Sequence, residues 1–278
     1  MPRFALETWR WIAASGRTRV LAGAVAVVLL AGLLWYPRPN EEPAYAGKTL
    51  TEWLKESEKT FRLWTQPEEA AAAIALRAIG PEAIPELMRL IQMDDRMGIR
   101  FRIQRLTGGP GHPTDAPAAR AHLRGLSGFA ALGPLSKPAL PDLVRLLRDP
   151  RPVVRRNAAF ALGYMSSAAE PSVQALLHCL EDEDSDVSEA AVWAVGNLKL
   201  RADLVVPSLM QLLEQRQVTP TVFEVLTRFG EDARAAIPLL RQIAQQRDPG
   251  KSFCAKLALK ELDATDPAGL NFDSSGEK

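Results

Sequence analysis

One phrase recurs down this chain: an alanine-rich stretch ends in an apolar residue and glycine, and a second stretch opens on x-Pro-x-Leu or a close variant. The glycines are Gly80, Gly133, Gly163, Gly196 and Gly230, and the prolines are Pro85, Pro141, Pro171, Pro207 and Pro238. Successive glycines lie 53, 30, 33 and 34 residues apart, so every interval but the first is close to the length of one helical hairpin. A fixed period of this size marks stacked supersecondary units, each touching chiefly its neighbours. The expected fold is all-α: a right-handed α-solenoid of about five hairpins, covering residues 67–262.

The 278 residues carry a net charge of +1 and are 47% hydrophobic but only 6% aromatic. That balance gives no bulk reason to expect nucleic acid or an acidic partner. Much of the apolar content is alanine and leucine, which suits close-packed helices. Cys179 and Cys254 fall in different expected helices more than two periods apart, too far along a solenoid to bridge, and read as small buried hydrophobes.

Residues 20–36, VLAGAVAVVLLAGLLWY, contain no charge. Seventeen residues of helix span about 25 Å, slightly less than a bilayer core of about 30 Å. Trp35 and Tyr36 stand where an interfacial aromatic belt would be, and Pro37 stops the helix. Arg3, Arg10, Arg17 and Arg19 precede the run against one acid, Glu7. The positive-inside bias then makes 1–19 a cytoplasmic leader, 20–36 a transmembrane signal anchor, and the rest extracytoplasmic. Cleavage after Ala46, at a small-x-small site, is the alternative. It would leave about ten residues, with prolines and acids, between the apolar run and the site.

Residues 37–47 read as a linker and 48–66 as a capping helix, with Leu50, Trp53 and Leu54 on one face and Thr49 or Thr51 as its cap. The hairpins are expected at Pro67–Ile79 with Glu82–Met93, Ala118–Leu132 with Lys137–Arg148, and Pro152–Tyr164 with Ala168–Leu180. Val187–Leu198 with Leu204–Gln215 and Thr221–Phe229 with Ala233–Gln246 follow, and Ser252–Leu262 closes the stack. Residues 94–116 break the period, and 263–278 form a polar tail expected to be disordered.

DPRPVVRRNAAFALGYM, residues 149–165, resembles the first helix of a bacterial HEAT repeat of the PBS-lyase-like type, and DSDVSEAAVWAVGNL, residues 184–198, is a second copy with Ser188 where that family has arginine. The start AYAGKTLTEWL also resembles other membrane-anchored bacterial HEAT proteins. Physically, Asp149 or Asp184 offers an N-cap, Val153 and Val187 begin a buried stripe, and the alanines permit close helix approach. Gly163 and Gly196 would take the left-handed conformation that ends a helix. The resemblance implies that Arg155 pairs with an aspartate of the adjoining repeat.

No catalytic or metal-ligating pattern is legible around His112, His122 or His178, and the chain lacks GxSxG, Walker A, Rossmann and HExxH motifs. Gly108-Gly109-Pro110-Gly111 reads as a turn. The run EDEDSD, residues 181–186, lacks a calcium loop's spacing and its glycine, and reads as a solvated turn. Arg96, Arg100, Arg102 and Arg105 lie in a stretch that alternates apolar and charged residues, which fits an edge strand or a distorted helix. They form either a patch facing an anionic partner or a solvated face.

These readings predict a non-catalytic protein-interaction scaffold tethered to a bacterial inner membrane, with no cofactor, small-molecule substrate or nucleic acid, and an unknown protein partner. Curvature is expected to line the concave side with second helices. They would present Arg89, Gln92, Arg145, Arg148, Gln174, His178, Gln211, Gln215, Arg241 and Gln245. The alternative implied by the resemblance is a bilin-lyase-like enzyme or chromophore chaperone, because repeats of this type also occur in enzymes that attach bilins to antenna proteins.

Overall fold

The computed structural model describes residues 42–62, 70–93, 117–214 and 219–264. The chain divides into two units, residues 1–42 and 43–278, and the described elements lie in the second. The expected anchor 20–36 and leader 1–19 lie outside the described residues, as does the tail beyond residue 264. Among the described residues no helix is long and apolar enough to cross a membrane.

The second unit opens on a β-hairpin where the sequence suggested plain linker. β1 (Ala44–Tyr45) pairs antiparallel with β2 (Lys48–Thr49), in register Ala44↔Thr49 and Tyr45↔Lys48. Ala46 (φ 50°) and Gly47 (φ 78°) both take positive φ, the requirement of a two-residue turn whose twist matches the strands. The hairpin feeds α1 (Leu50–Arg62) through a reciprocal cap: the Thr49 N–H donates to the Glu52 carboxylate at 2.8 Å, and the Glu52 N–H donates to Thr49 Oγ1 at 3.4 Å. Leu50, Trp53 and Leu54 are buried as their spacing predicted, and Trp53 Nε1 donates to the Tyr45 carbonyl at 3.0 Å.

Eleven further α-helices follow among the described residues. They are α2 (Ala71–Ile79), α3 (Ile84–Ile91), α4 (Pro117–Leu132), α5 (Leu140–Leu146), α6 (Pro152–Gly163), α7 (Val173–Cys179), α8 (Ser185–Leu198), α9 (Ala202–Glu214), α10 (Pro220–Arg228), α11 (Ile237–Ala244) and α12 (Pro249–Ala264). The even-numbered helices from α4 to α12 pack in a row, and each second helix (α3, α5, α7, α9, α11) packs onto the first helix of the next pair. One apolar cluster runs without a break from Leu50 to Leu262. Its leucines Leu87, Leu143, Leu209 and Leu240, two residues after Pro85, Pro141, Pro207 and Pro238, are fully buried. The proline phrase thus aims one apolar residue per pair into the core, with Val173 in the leucine's place after Pro171.

Three local expectations are corrected. Val153 is 41% exposed and the stripe of α6 begins at Val154, which stands directly before Arg155 as the buried Val187 stands before Ser188; one residue turns the face by about 100°. Asp149 does not cap α6: its carboxylate accepts from the Arg151 N–H and guanidinium instead, whereas Asp184 does cap α8, accepting from the Asp186 and Val187 N–H groups. Left-handed φ belongs to Gly80, Gly133 and Gly230 but not to Gly163 or Gly196, which are helical. A methyl at Gly163 would lie 2.6 Å from the Trp193 ring, and one at Gly196 2.5 Å from Val225. These two glycines are points of closest helix approach, not helix terminators. Pro207 likewise sits inside α9, which starts at Ala202 without the 3₁₀ turn that precedes Pro85, Pro141 and Pro238.

Polar groups fasten the start of the stack. Ser57 and Ser127 share a buried hydrogen bond of 2.8 Å, and Arg124 pairs with the buried Glu58 at 2.7 Å, tying α1 to α4. The carbonyls that end α3 are met by side chains of two later helices and the turn before one of them. Asn157 donates to Ile91 O at 2.9 Å, Arg151 to Gln92 O at 3.3 Å, and His122 Nε2 to Met93 O at 2.8 Å. That task explains a buried histidine with no catalytic neighbour.

The two kinds of glycine separate in a stability measurement. Gly196→Ala forces α8 away from α10 and should cost about 1–3 kcal/mol. Gly230→Ala meets no atom within 4 Å and bears only the left-handed strain, about 1 kcal/mol. Thermal denaturation followed by circular dichroism should rank Gly196→Ala below Gly230→Ala, and the reverse order would contradict the close-approach assignment.

Candidate functional site

The second helices do carry a row of exposed polar side chains. Arg89, Arg145, Arg148, Gln174, His178, Gln211, Arg241 and Gln245 are all exposed. Gln92 is half-buried and its amide is committed to the Met88 carbonyl at 2.7 Å. Arg89 donates to Glu86 through Nε and Nη2, both at 2.7 Å, and that carboxylate pushes the guanidinium up from its ordinary value. Arg145 pairs with Asp142 at 3.0 Å, and Gln211 donates to Glu181 at 3.2 Å. Such surface pairs contribute little to stability, so these side chains can exchange partners at small cost. Gln215 and the cluster Arg96, Arg100, Arg102 and Arg105 lie outside the described residues.

A groove between first helices was not anticipated. It lies where α4, α6 and α8 meet and encloses about 560 Å³. Its apolar lining is Ala119, Leu123, Leu126, Val153, Phe160 and Ala190. Arg156, Asp186 and Glu189 supply charged groups, with Arg156 and Asp186 3.4 Å apart. Phe160 and Tyr164 both meet Trp193 edge-on, with centroids 5.2 and 5.0 Å away, so the α6 and α8 walls are braced by aromatic contacts. A sequence signal for this existed: Phe160 and Trp193 each stand three residues before the glycine of their repeat. A second cleft of about 540 Å³ lies on the other side of α8, lined by Leu180, Val192, Leu212 and the acidic turn, and Glu189 borders both.

The charged centre between these clefts is structural. Arg155 and Asp182 are bound through two hydrogen bonds of 2.8 and 2.7 Å, and each side chain is about a tenth exposed. Arg155 also donates to the carbonyls of Asp149 and Pro150, which satisfies the rest of its fork. This is the inter-repeat pairing the resemblance implied. Burial works to raise the Asp182 carboxyl, and hydrogen bonds from Arg155 and the Asp184 N–H overcome it, leaving Asp182 below the usual carboxylate range. Ser188, in the arginine's place one repeat later, donates to Leu180 O at 2.6 Å. It reproduces the local carbonyl contact but not the ion pair.

Burial also raises the Cys179 thiol to about 11 and the Tyr164 hydroxyl to about 12, so neither ionises near neutrality. Among the described residues no group of three or more His, Cys, Asp or Glu side chains could hold a metal ion.

The middle of this stack matches a known kind of repeat. Residues 140–222 match the model of HEAT repeats. Such repeats generally mediate protein interactions. The match spans α5 to the start of α10, which includes the Arg155–Asp182 clamp and the walls that α6 and α8 give the groove. A crystal structure of an engineered protein is similar at 20% identity over 76% of this chain and 97% of that one, with a TM-score of 0.41. No curated protein matches the chain.

Two measurements check this chemistry. Arg155→Leu leaves a buried carboxylate without its partner and should cost about 3 kcal/mol at neutral pH. Because the folded protein holds Asp182 below its unfolded value near 4, the wild-type advantage is complete above that value and is lost as pH falls through the folded pKa. The gap in melting temperature between wild type and Arg155→Leu should therefore narrow on acidification below about pH 4, and a pH-independent gap would contradict the ion-pair account. Alkylation with iodoacetamide at pH 8 should label the partly exposed Cys254 well before the buried Cys179.

Proposed function

We propose that this protein is a membrane-tethered, non-catalytic scaffold that recognises another protein through the second-helix face of a right-handed solenoid of about five HEAT-like hairpins. The run 20–36 is its anchor in a bacterial inner membrane, with the N-terminus in the cytoplasm and the repeats outside it. The repeats are of the PBS-lyase-like type, and the residues that make contact are those of the row, led by Arg145 and Arg148.

The observation that carries this reading is the regular placement of exposed polar side chains on second helices. Arg145 and Arg148 on and just after α5, Gln174 and His178 on α7, and Arg241 and Gln245 on and just after α11 are three or four residues apart. Each pair therefore shares one helix face. The apolar residues between them, Leu146, Leu176 and Ile243, face the core, so the polar face is free of a structural task. Stacking repeats such faces into one extended surface, the usual means by which solenoids bind.

Crosslinking in native membranes, with the chain tagged at its C-terminus and the products identified by mass spectrometry, tests the reading. A reproducible partner should be captured and should disappear with Arg145→Glu plus Arg148→Glu. Recovery of the bait alone, or a partner indifferent to that double change, would overturn the role assigned to this face.

A further inference from the structure

The groove between α4, α6 and α8 belongs to the other side of each helical pair, and nothing in the stacking of the repeats requires it. Its floor is apolar and partly open, since Val153 is 41% exposed and Leu123 and Phe160 are half-buried. Along one edge, Asp186, Glu189 and Ala190 follow one another at three- and four-residue spacing on α8, so two carboxylates and a small residue face the same opening. The small residue leaves room in the groove, and the acids set its sign.

The groove's own charged lining is two carboxylates, Asp186 and Glu189, against one guanidinium, Arg156. Arg156 and Asp186 form an exposed contact of 3.4 Å, and Glu189 accepts from the Thr221 hydroxyl at 3.1 Å. The edge therefore keeps an excess of negative charge. Glu181, Asp182 and Glu183 line the cleft on the other side of α8, where Asp182 and Glu183 both lie against Arg155, at 2.7 and 3.6 Å. An apolar trough with an acidic edge is complementary to one kind of ligand: a helix whose apolar face is flanked by lysines or arginines.

We propose that the α4–α6–α8 groove is a second docking site, which takes a basic amphipathic helix from a partner protein. It goes beyond the second-helix row of the proposed function and uses a different side of the repeats. The apolar side chains of the ligand enter between Leu123, Val153 and Phe160. Its cations lie over Asp186 and Glu189. Arg156, already 3.4 Å from Asp186 and on the surface, can release that weak pair when a ligand cation arrives.

The test titrates the full-length chain into a fluorescein-labelled 15-residue helical peptide of leucine and lysine, and into a counterpart with glutamate in place of lysine, by fluorescence anisotropy. The lysine peptide should bind saturably, at least about ten-fold tighter than the glutamate peptide, and lose affinity steeply with salt. Val153→Lys, at an exposed position, should weaken binding about ten-fold, and Asp186→Asn with Glu189→Gln about five-fold. The second variant is isosteric and on the surface, so it keeps the test decisive if Val153→Lys disturbs α6. Equal binding of the two peptides, or affinities unchanged in both variants, overturns the proposal. So does a concentration-dependent dimer in sedimentation that Val153→Lys abolishes, which would assign the groove to a second copy of the chain. Arg145→Glu with Arg148→Glu should leave peptide binding unchanged, so failure here and failure of the second-helix reading are told apart.

Discussion

Neighbouring first helices in this stack approach to the point where a methyl group does not fit. Gly163 lies against Trp193 and the backbone of Ala194, and Gly196 against Val225. The surrounding positions, Ala158, Ala159, Ala161, Ala190, Ala191 and Ala194, are alanines with almost no exposure. In a solenoid each unit buries its apolar side only against its neighbours, so the spacing between first helices decides whether the core is continuous. Small side chains supply that spacing without the rotamer entropy that larger ones would lose. The single apolar cluster from Leu50 to Leu262, the braced aromatic wall of Phe160, Tyr164 and Trp193, and the groove beside it all follow from that approach.

Charge is used unevenly along this frame. Between the pair α6–α7 and the pair α8–α9 the link is a nearly buried, fully satisfied guanidinium–carboxylate pair, and a buried pair of that kind fixes register because breaking one side leaves a stranded charge. One junction further on, Ser188 contributes only a local bond to Leu180 O, and the links across are exposed ones, Thr221 to Glu189 and Arg228 to Asn197. Ser252 repeats the serine solution at α12, donating to Ala244 O at 2.6 Å. Register there rests on apolar packing more than on ion pairing.

Much of the architecture was readable in the chain because it depends on period and polarity. The glycine interval placed the helical pairs, and the proline phrase pointed to the leucines that become the core. Thr49 was one of two threonines read as the cap of α1, and the structure adds Glu52 as its reciprocal partner. What escaped were features decided by a neighbour. Gly133 and Gly163 end the same written phrase, yet one turns the chain and the other receives a helix, which depends on what lies opposite. Val153 and Val154 are the same residue type, and the 100° between them separates solvent from core. The groove was hidden because its lining comes from three helices, with Ala119 and Ala190 about two periods apart in sequence. The aromatic position it shares across Phe160 and Trp193 has no meaning until the two rings are seen to touch.

The fastening of Met93, Gln92 and Ile91 by His122, Arg151 and Asn157 has a consequence for the order of assembly. The side chains that meet these carbonyls lie 29, 59 and 66 residues further along the chain. The end of α3 is therefore completed only when α4 and α6 have docked on it. Closing contacts of that sequence separation comes after local helix formation, so this terminus reports on the arrival of later repeats rather than on the folding of its own.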